Sequence, residues 1–466
     1  MKTKWWALAL ALLVLFLVVY ATPEVKGLTP AGKKALGVAM FAIVIWVTQA
    51  LEDALSGLVI VFLLAALGAC SIAVAFSGYA NTSVWLIVLG FIMASCMEFS
   101  GLSKRIALIM VNAASGSAGK IYWAVAGVMA VMTFLVPSIT ARTLLMLPII
   151  LGIGQAFNAK KGESNIVKAL LFIVAMSGTM MSIGVLTAHV GNPITVGLIE
   201  AATKQTVSWS HWFKIGAPPA FISAFLSIFL IKIMWPPEIK NLGDGQNYID
   251  QELAKLGKFS GKEKITLLIF ALTLVLWATD SIHKINVVIV GMLAVILLLF
   301  PGIGIMSWKE AQGKVPWNVF VLYGAGLSMG AALVSSGAAK WLAATVFAPI
   351  AHMSVALQIV IIIWAITALQ VFFTGGGPKT TALTPIIIAH AVTIGASPEV
   401  FALVIGMNMQ HQYLLPVSNM PNAVAMGTGY ITVGELVKTG AVMSIFSAAF
   451  MSLVVYTYWT WIGLVR

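Results

Sequence analysis

The chain has 466 residues, 60% hydrophobic and only 9% charged, with a net charge of +12. Soluble domains carry about a quarter charged residues, so this composition cannot coat a water-facing globule of this size, and the solvent must be lipid. The excess of Lys and Arg reads as loop charge gathered on the cytoplasmic side rather than as a nucleic-acid surface; no nucleic-acid partner is expected.

A membrane span needs roughly 20 apolar residues. Spans are predicted near 5–21, 34–51, 57–73, 83–99, 168–199, 212–235, 264–281, 287–303, 317–335, 400–430 and 439–463. The first follows Met-Lys-Thr-Lys but lacks a clear Ala-x-Ala cleavage site, so it is read as a retained span. Cys70 and Cys96 lie in apolar runs and are read as packing residues. Two further apolar segments, 122–157 and 357–393, are interrupted by Val136-Pro137-Ser138-Ile139-Thr140 and Thr374-Gly375-Gly376-Gly377-Pro378. Each is too long for one span and too broken for a straight helix, which predicts a re-entrant hairpin lined by protein or a wet cavity. The fold class is therefore an all-α polytopic membrane protein of about 11 transmembrane helices plus two re-entrant hairpins. With the N-terminus cytoplasmic and the C-terminus external, most of the 27 Lys and Arg fall inside. The expected location is the inner, cytoplasmic membrane. The polar stretch 236–263 becomes a cytoplasmic linker in which Tyr248 to Lys258 forms a short surface helix.

The two halves repeat at a spacing of about 230–237 residues. Val44 to Thr48 matches Val275 to Thr279. Ser100-Gly101 and Lys104 match Ser336-Gly337 and Lys340. Pro148 and Pro385 each lie ten residues after a hairpin tip, and Gly191-Asn192 matches Pro421-Asn422. With residues 1–33 as an added N-terminal span, 34–235 and 264–466 form two repeats. Five spans and a hairpin per copy start the second on the opposite course through the membrane. Inverted repeats of this kind typify secondary transporters, which bind cargo at the midplane between discontinuous helices. Four discontinuities are present: the two hairpin tips and the breaks within 168–199 and 400–430. Their helix N-termini offer free N–H groups and a positive dipole end, which suits an anion.

Arg142 lies four residues after Ser138, and Lys379 four after Gly375. Ionisable groups at membrane depth are costly and usually functional. These two are read as electrostatic holders of a dianion, with capping or internal pairing as the competing reading. Asn192 and Asn422 could bind substrate or fasten the broken backbone. Ser138, Thr140, Thr380 and Thr381 could donate hydroxyls or bond back to their own helices. His189 and His411 lie near the breaks, with His411 read as a packing histidine; Glu52, Asp53 and Asp280 are read as helix-end residues. Candidate substrate contacts are thus Ser138, Thr140, Arg142, Gly191, Asn192, Gly375, Gly376, Gly377, Lys379, Thr380, Asn419, Pro421 and Asn422. No metal-ligand pattern is present. Gly326-Leu327-Ser328-Met329-Gly330 spells a serine-hydrolase elbow, but it lies within a predicted membrane helix, without the strand and turn that motif needs. No enzymatic activity is expected. A passive anion pore and a membrane-bound enzyme are the alternatives outside active transport.

Together these motifs resemble the divalent anion–sodium symporter family of carboxylate transporters. In that family each hairpin tip reads Ser-Asn-Thr before an apolar stretch and Pro. Here the tips are Ser138-Ile139-Thr140 and Gly375-Gly376-Gly377. The family's later break looks like Met420-Pro421-Asn422 and Gly427-Thr428-Gly429-Tyr430. The resemblance implies a homodimer with scaffold and transport domains, an elevator-type mechanism, and di- or tricarboxylate cargo in the lipid bilayer. It also implies that the tip Asn residues serve sodium in the symporters. Ile139 offers no side-chain oxygen and Gly376 only backbone carbonyls, while Arg142 and Lys379 supply fixed positive charge. The expectation is a sodium-independent dicarboxylate exchanger with no cofactor; a sodium- or proton-coupled symporter is the alternative.

Overall fold

A computed structural model describes residues 4–114, 116–373 and 375–465; Thr374 of the second predicted tip lies outside the described residues. The N-terminal helices are α1 (Trp5–Phe16), α2 (Pro30–Thr48), α3 (Asp53–Ala66), α4 (Ile72–Ala80), α5 (Thr82–Ser100) and α6 (Leu102–Asn112). A hairpin follows, α7 (Ala118–Leu135) and α8 (Ile139–Ala156). Then comes α9 (Asn165–Phe172), continued through a π-helical stretch, Ile173–Ser177, into α10 (Gly178–Ile183), and then α11 (Gly191–Thr203). The long α12 (Trp209–Met234) and the linker helix α13 (Asp244–Lys255) lead to α14 (Gly261–Ala278), α15 (Asp280–His283), α16 (Val287–Leu299), α17 (Trp308–Gln312), α18 (Trp317–Ser335) and α19 (Ala338–Val346). The second hairpin is α20 (Val355–Ala368) and α21 (Gly376–Thr393). The chain continues with α22 (Pro398–Met409), α23 (Met420–Gly427) and α24 (Val433–Val454).

Nine helical stretches among the described residues are long and apolar enough to cross a membrane, and three of the four hairpin arms, α7, α8 and α20, are among them. The spans expected at 5–21, 57–73, 287–303 and 400–430 fall on shorter apolar helices. Large apolar side chains stand exposed on the outer face, Ile233, Ile282 and Trp461 among them, as lipid contact requires. The protein is an all-helical polytopic membrane protein.

The repeated Ser-Gly pair has a local physical reason. Gly101 ends α5 with φ +82° and Gly337 follows α18 with φ +79°. Both are left-handed positions at which a Cβ would be strained, so each chain turns at glycine into a second helix. Two apolar cores form. One gathers α1–α4 around α18, and the other gathers the hairpins, the broken helices and α12. Where α4 meets α18 the backbones touch, and a Cβ at Gly78 would lie 1.9 Å from the Gly324 carbonyl oxygen.

The linker helix begins earlier than the sequence pattern suggested, at Asp244, and ends at Lys255, just before Gly257 at φ +59°. It packs on α6 and on the second arm of the first hairpin: the Tyr248 hydroxyl approaches the Pro148 carbonyl at 3.4 Å, and a Cβ at Gly152 would meet the Tyr248 ring. Glu252 bonds both Lys104 and Lys255, and these hydrogen bonds hold its carboxyl down to about 2. Arg105 secures the end of the linker. Its Nε donates to Glu263 at 2.6 Å, and its other nitrogens donate to the carbonyls of Leu256, Gly257 and Lys258. Both side chains of this ion pair are buried. Arg105→Ala leaves Glu263 uncompensated and should cost about 3–5 kcal/mol, seen as a large fall in Tm; Glu263→Gln in the same chain should recover part of it.

Candidate functional site

Every predicted contact residue lies at the cap or within the first five residues of one of four helices. Ser138 caps α8, accepting from the Ala141 N–H at 3.3 Å; Thr140, half-buried, is its second residue. Arg142 is the fourth residue of α8, and Lys379 the fourth of α21. Gly191 and Asn192 open α11, Gly376 and Gly377 open α21 with Gly375 as its cap, and Asn419, Pro421 and Asn422 begin α23.

The two cations differ in how they are held. Arg142 is fully buried. Its Nη2 donates to the Ser182 hydroxyl at 2.7 Å and the Ala188 carbonyl at 2.9 Å, its Nε to the Ser138 carbonyl at 3.4 Å, and its Nη1 to the Thr133 hydroxyl. The guanidinium thus ties the first hairpin to the break between α10 and α11, using four of its five N–H groups. All four partners are neutral, so the charge itself is uncompensated. Lys379 is equally buried, and its Nζ has no hydrogen-bond partner. No Asp or Glu pairs with either cation among the described residues.

The asparagines fasten the breaks in the same way. Asn192 Nδ2 donates to the carbonyls of Ser182 and Val185, ten and seven residues earlier, and Asn422 Nδ2 donates to those of Gln412 and Leu415, at the same two offsets. Both Oδ1 atoms are buried without a partner. Thr380 bonds back to Gly376 O at 2.7 Å and Thr381 to Gly377 O at 3.1 Å, the bland reading for both hydroxyls. Asn419 reaches across to the Thr179 hydroxyl at 3.2 Å, which joins α23 to α10. His189 Nδ1 accepts from the Gly191 N–H at 3.1 Å and so caps α11; this makes Nδ1 the unprotonated nitrogen of a neutral ring. His411 is buried within electrostatic reach of Lys379 and His189.

Three residues escaped the sequence reading: Gln410, Gln412 and Ser418, all about 1% exposed and all with unpartnered side-chain polar atoms. The run Asn408-Met409-Gln410-His411-Gln412, polar within an apolar segment, was the signal for the two glutamines. The serine of the elbow-like sequence is spent on packing, since Ser328 Oγ accepts the Gly78 N–H at 3.0 Å. No group of three or more His, Cys, Asp or Glu that could hold a metal occurs among the described residues. A cavity of about 480 Å³ lies away from the tips, between α4, α11 and α18, lined by Asn81, Glu200, Lys204 and Ser335 among others.

The family profile described as sodium:sulfate symporter transmembrane region matches residues 2–465. The chain belongs to this family. Within it, the chain is 30% identical over 484 residues to a membrane protein of Cupriavidus necator, covering 99% of this chain and 93% of that one. It is 28% identical over 473 residues to the sodium-dependent dicarboxylate transporter SdcS of Staphylococcus saprophyticus, covering 95% and 89%. The fold is similar to that of the Alcanivorax borkumensis YdaH transporter, with a TM-score of 0.57 at 17% identity over 84% of this chain and 88% of that one.

Proposed function

We propose that this family member is a secondary transporter of dicarboxylates. The observation that carries the reading is the pair of buried cations, Arg142 and Lys379, each on the fourth residue of a hairpin's second helix and neither facing a carboxylate partner. A dianion supplies the two missing charges, and the helix N-termini around it favour anions. The name of the Staphylococcus relative supports the same cargo class. The two apolar cores, with a cleft between α18 and α11, support an elevator-type division into a scaffold around α1–α4 and a moving body with the tips. A homodimer in the cytoplasmic membrane, with its N-terminus inside, completes the reading.

For coupling, the relative's sodium dependence supports symport with sodium. The unpartnered oxygens of Asn192, Asn422, Gln412 and Ser418 suit a hard cation. A second reading, sodium-independent exchange, is favoured by Lys379: an unpaired ammonium beside a tip of bare glycines can do for the cargo what a sodium ion would do. An empty carrier would then cross slowly with its cations unneutralised. The test is uptake of radiolabelled malate by the purified protein in liposomes, loaded with unlabelled malate or left empty, in sodium or potassium. Uptake into empty vesicles driven by a sodium gradient establishes symport. Uptake only into loaded vesicles, equal in both salts, establishes exchange. No uptake under any of these conditions overturns the dicarboxylate reading.

A further inference from the structure

Gln410 caps the C-terminal end of α22 with its carboxamide wedged between the first residues of two helices. A Cβ at Gly191 would lie 2.0 Å from its Nε2, and a Cβ at Gly376 2.0 Å from its Oε1. The slot exists because both positions are glycine. The orientation of the amide follows from its neighbours. Its Nε2 donates to the Thr380 hydroxyl at 3.0 Å, and that hydroxyl has already given its proton to the Gly376 carbonyl at 2.7 Å. Turned the other way, the carbonyl oxygen would either face a lone pair of that hydroxyl or take its proton away from the Gly376 carbonyl. Nε2 therefore faces Thr380, and Oε1, buried and without a partner, is an acceptor against the first residue of α21.

Such an acceptor selects for a donor. A carboxylate oxygen cannot serve, because both atoms carry only lone pairs. An ammonium group would add a third positive charge beside Arg142 and Lys379. A hydroxyl on the cargo's carbon chain fits, since it donates without charge. Resting on the dicarboxylate reading above, we infer that Gln410 recognises a substrate hydroxyl, so that the preferred cargo is a hydroxydicarboxylate rather than an unsubstituted one. A site built to bond a hydroxyl rejects the analogue that lacks it, because its own polar atom is then left unpaired.

The experiment is competition for malate uptake in proteoliposomes, with L-malate and succinate as unlabelled competitors, on the wild-type protein and on Gln410→Met, which keeps the side-chain length and loses the acceptor. Wild-type protein should prefer malate by roughly tenfold or more, and the malate-to-succinate KM ratio in Gln410→Met should move toward parity. Equal competition by succinate in the wild type overturns the inference whatever the variant does. So does a variant in which both KM values shift together with their ratio intact, as a packing role would give. Absence of dicarboxylate uptake in the wild type is a different result, and it overturns the function proposed above.

Discussion

Lys379→Met should abolish dicarboxylate transport and raise thermal stability at once. A buried ammonium with no hydrogen-bond partner is a cost to the folded protein. Methionine fills the same space with an apolar chain, so the melting temperature in detergent should rise. Binding should fall because the cargo carboxylate loses its cation, a loss of about 2–5 kcal/mol, or roughly thirtyfold and more in affinity. The two readouts separate the roles. A lysine that merely held the hairpin would take stability down with activity. Transport at wild-type rate in this variant would remove Lys379 from the site.

Arg142→Lys should behave in the opposite way for stability. The substitution keeps the positive charge but discards the planar fork that reaches Thr133, Ser138, Ser182 and Ala188 together. A compact ammonium cannot span all four, and the buried Ala188 carbonyl left unsatisfied costs about 1–3 kcal/mol. The melting temperature should fall, and transport with it, because the first hairpin is no longer tied to the break that opens α11. Both are measured on the same purified protein, by thermal unfolding in detergent and uptake in liposomes. An unchanged melting temperature would show that the ties contribute nothing, leaving Arg142 with its charge alone.

The contrast between these residues was invisible at the level of sequence. Arg142 and Lys379 occupy matching positions four residues past a tip, and their burial follows from hydropathy alone. What differs is the surroundings. Thr133, Ser182 and Ala188 come to Arg142 from 9 to 46 residues away in sequence, and nothing in their local patterns announces the meeting. The roles of Asn192 and Asn422 were open for a similar reason: whether an amide binds cargo or fastens backbone depends on which carbonyls the break exposes. The structure shows their nitrogens fastening the break and their oxygens unpartnered. Gln410 was overlooked because its importance comes from two glycines, Gly191 and Gly376, that lie 219 and 34 residues away by their numbering.

The sequence by itself determined that the chain lives in lipid, that it is helical throughout, and that its four helix breaks and two intramembrane cations sit at matched places in two halves. These properties follow from composition, hydrophobic run length and the backbone limits of Pro and Gly, all of which act over a few residues. Only the tertiary structure decided which cation is tied and which is free, and which amide lies between the tips. Those outcomes depend on hydrogen-bond partners brought together from distant segments, and a buried polar group's role is set by the partners it finds.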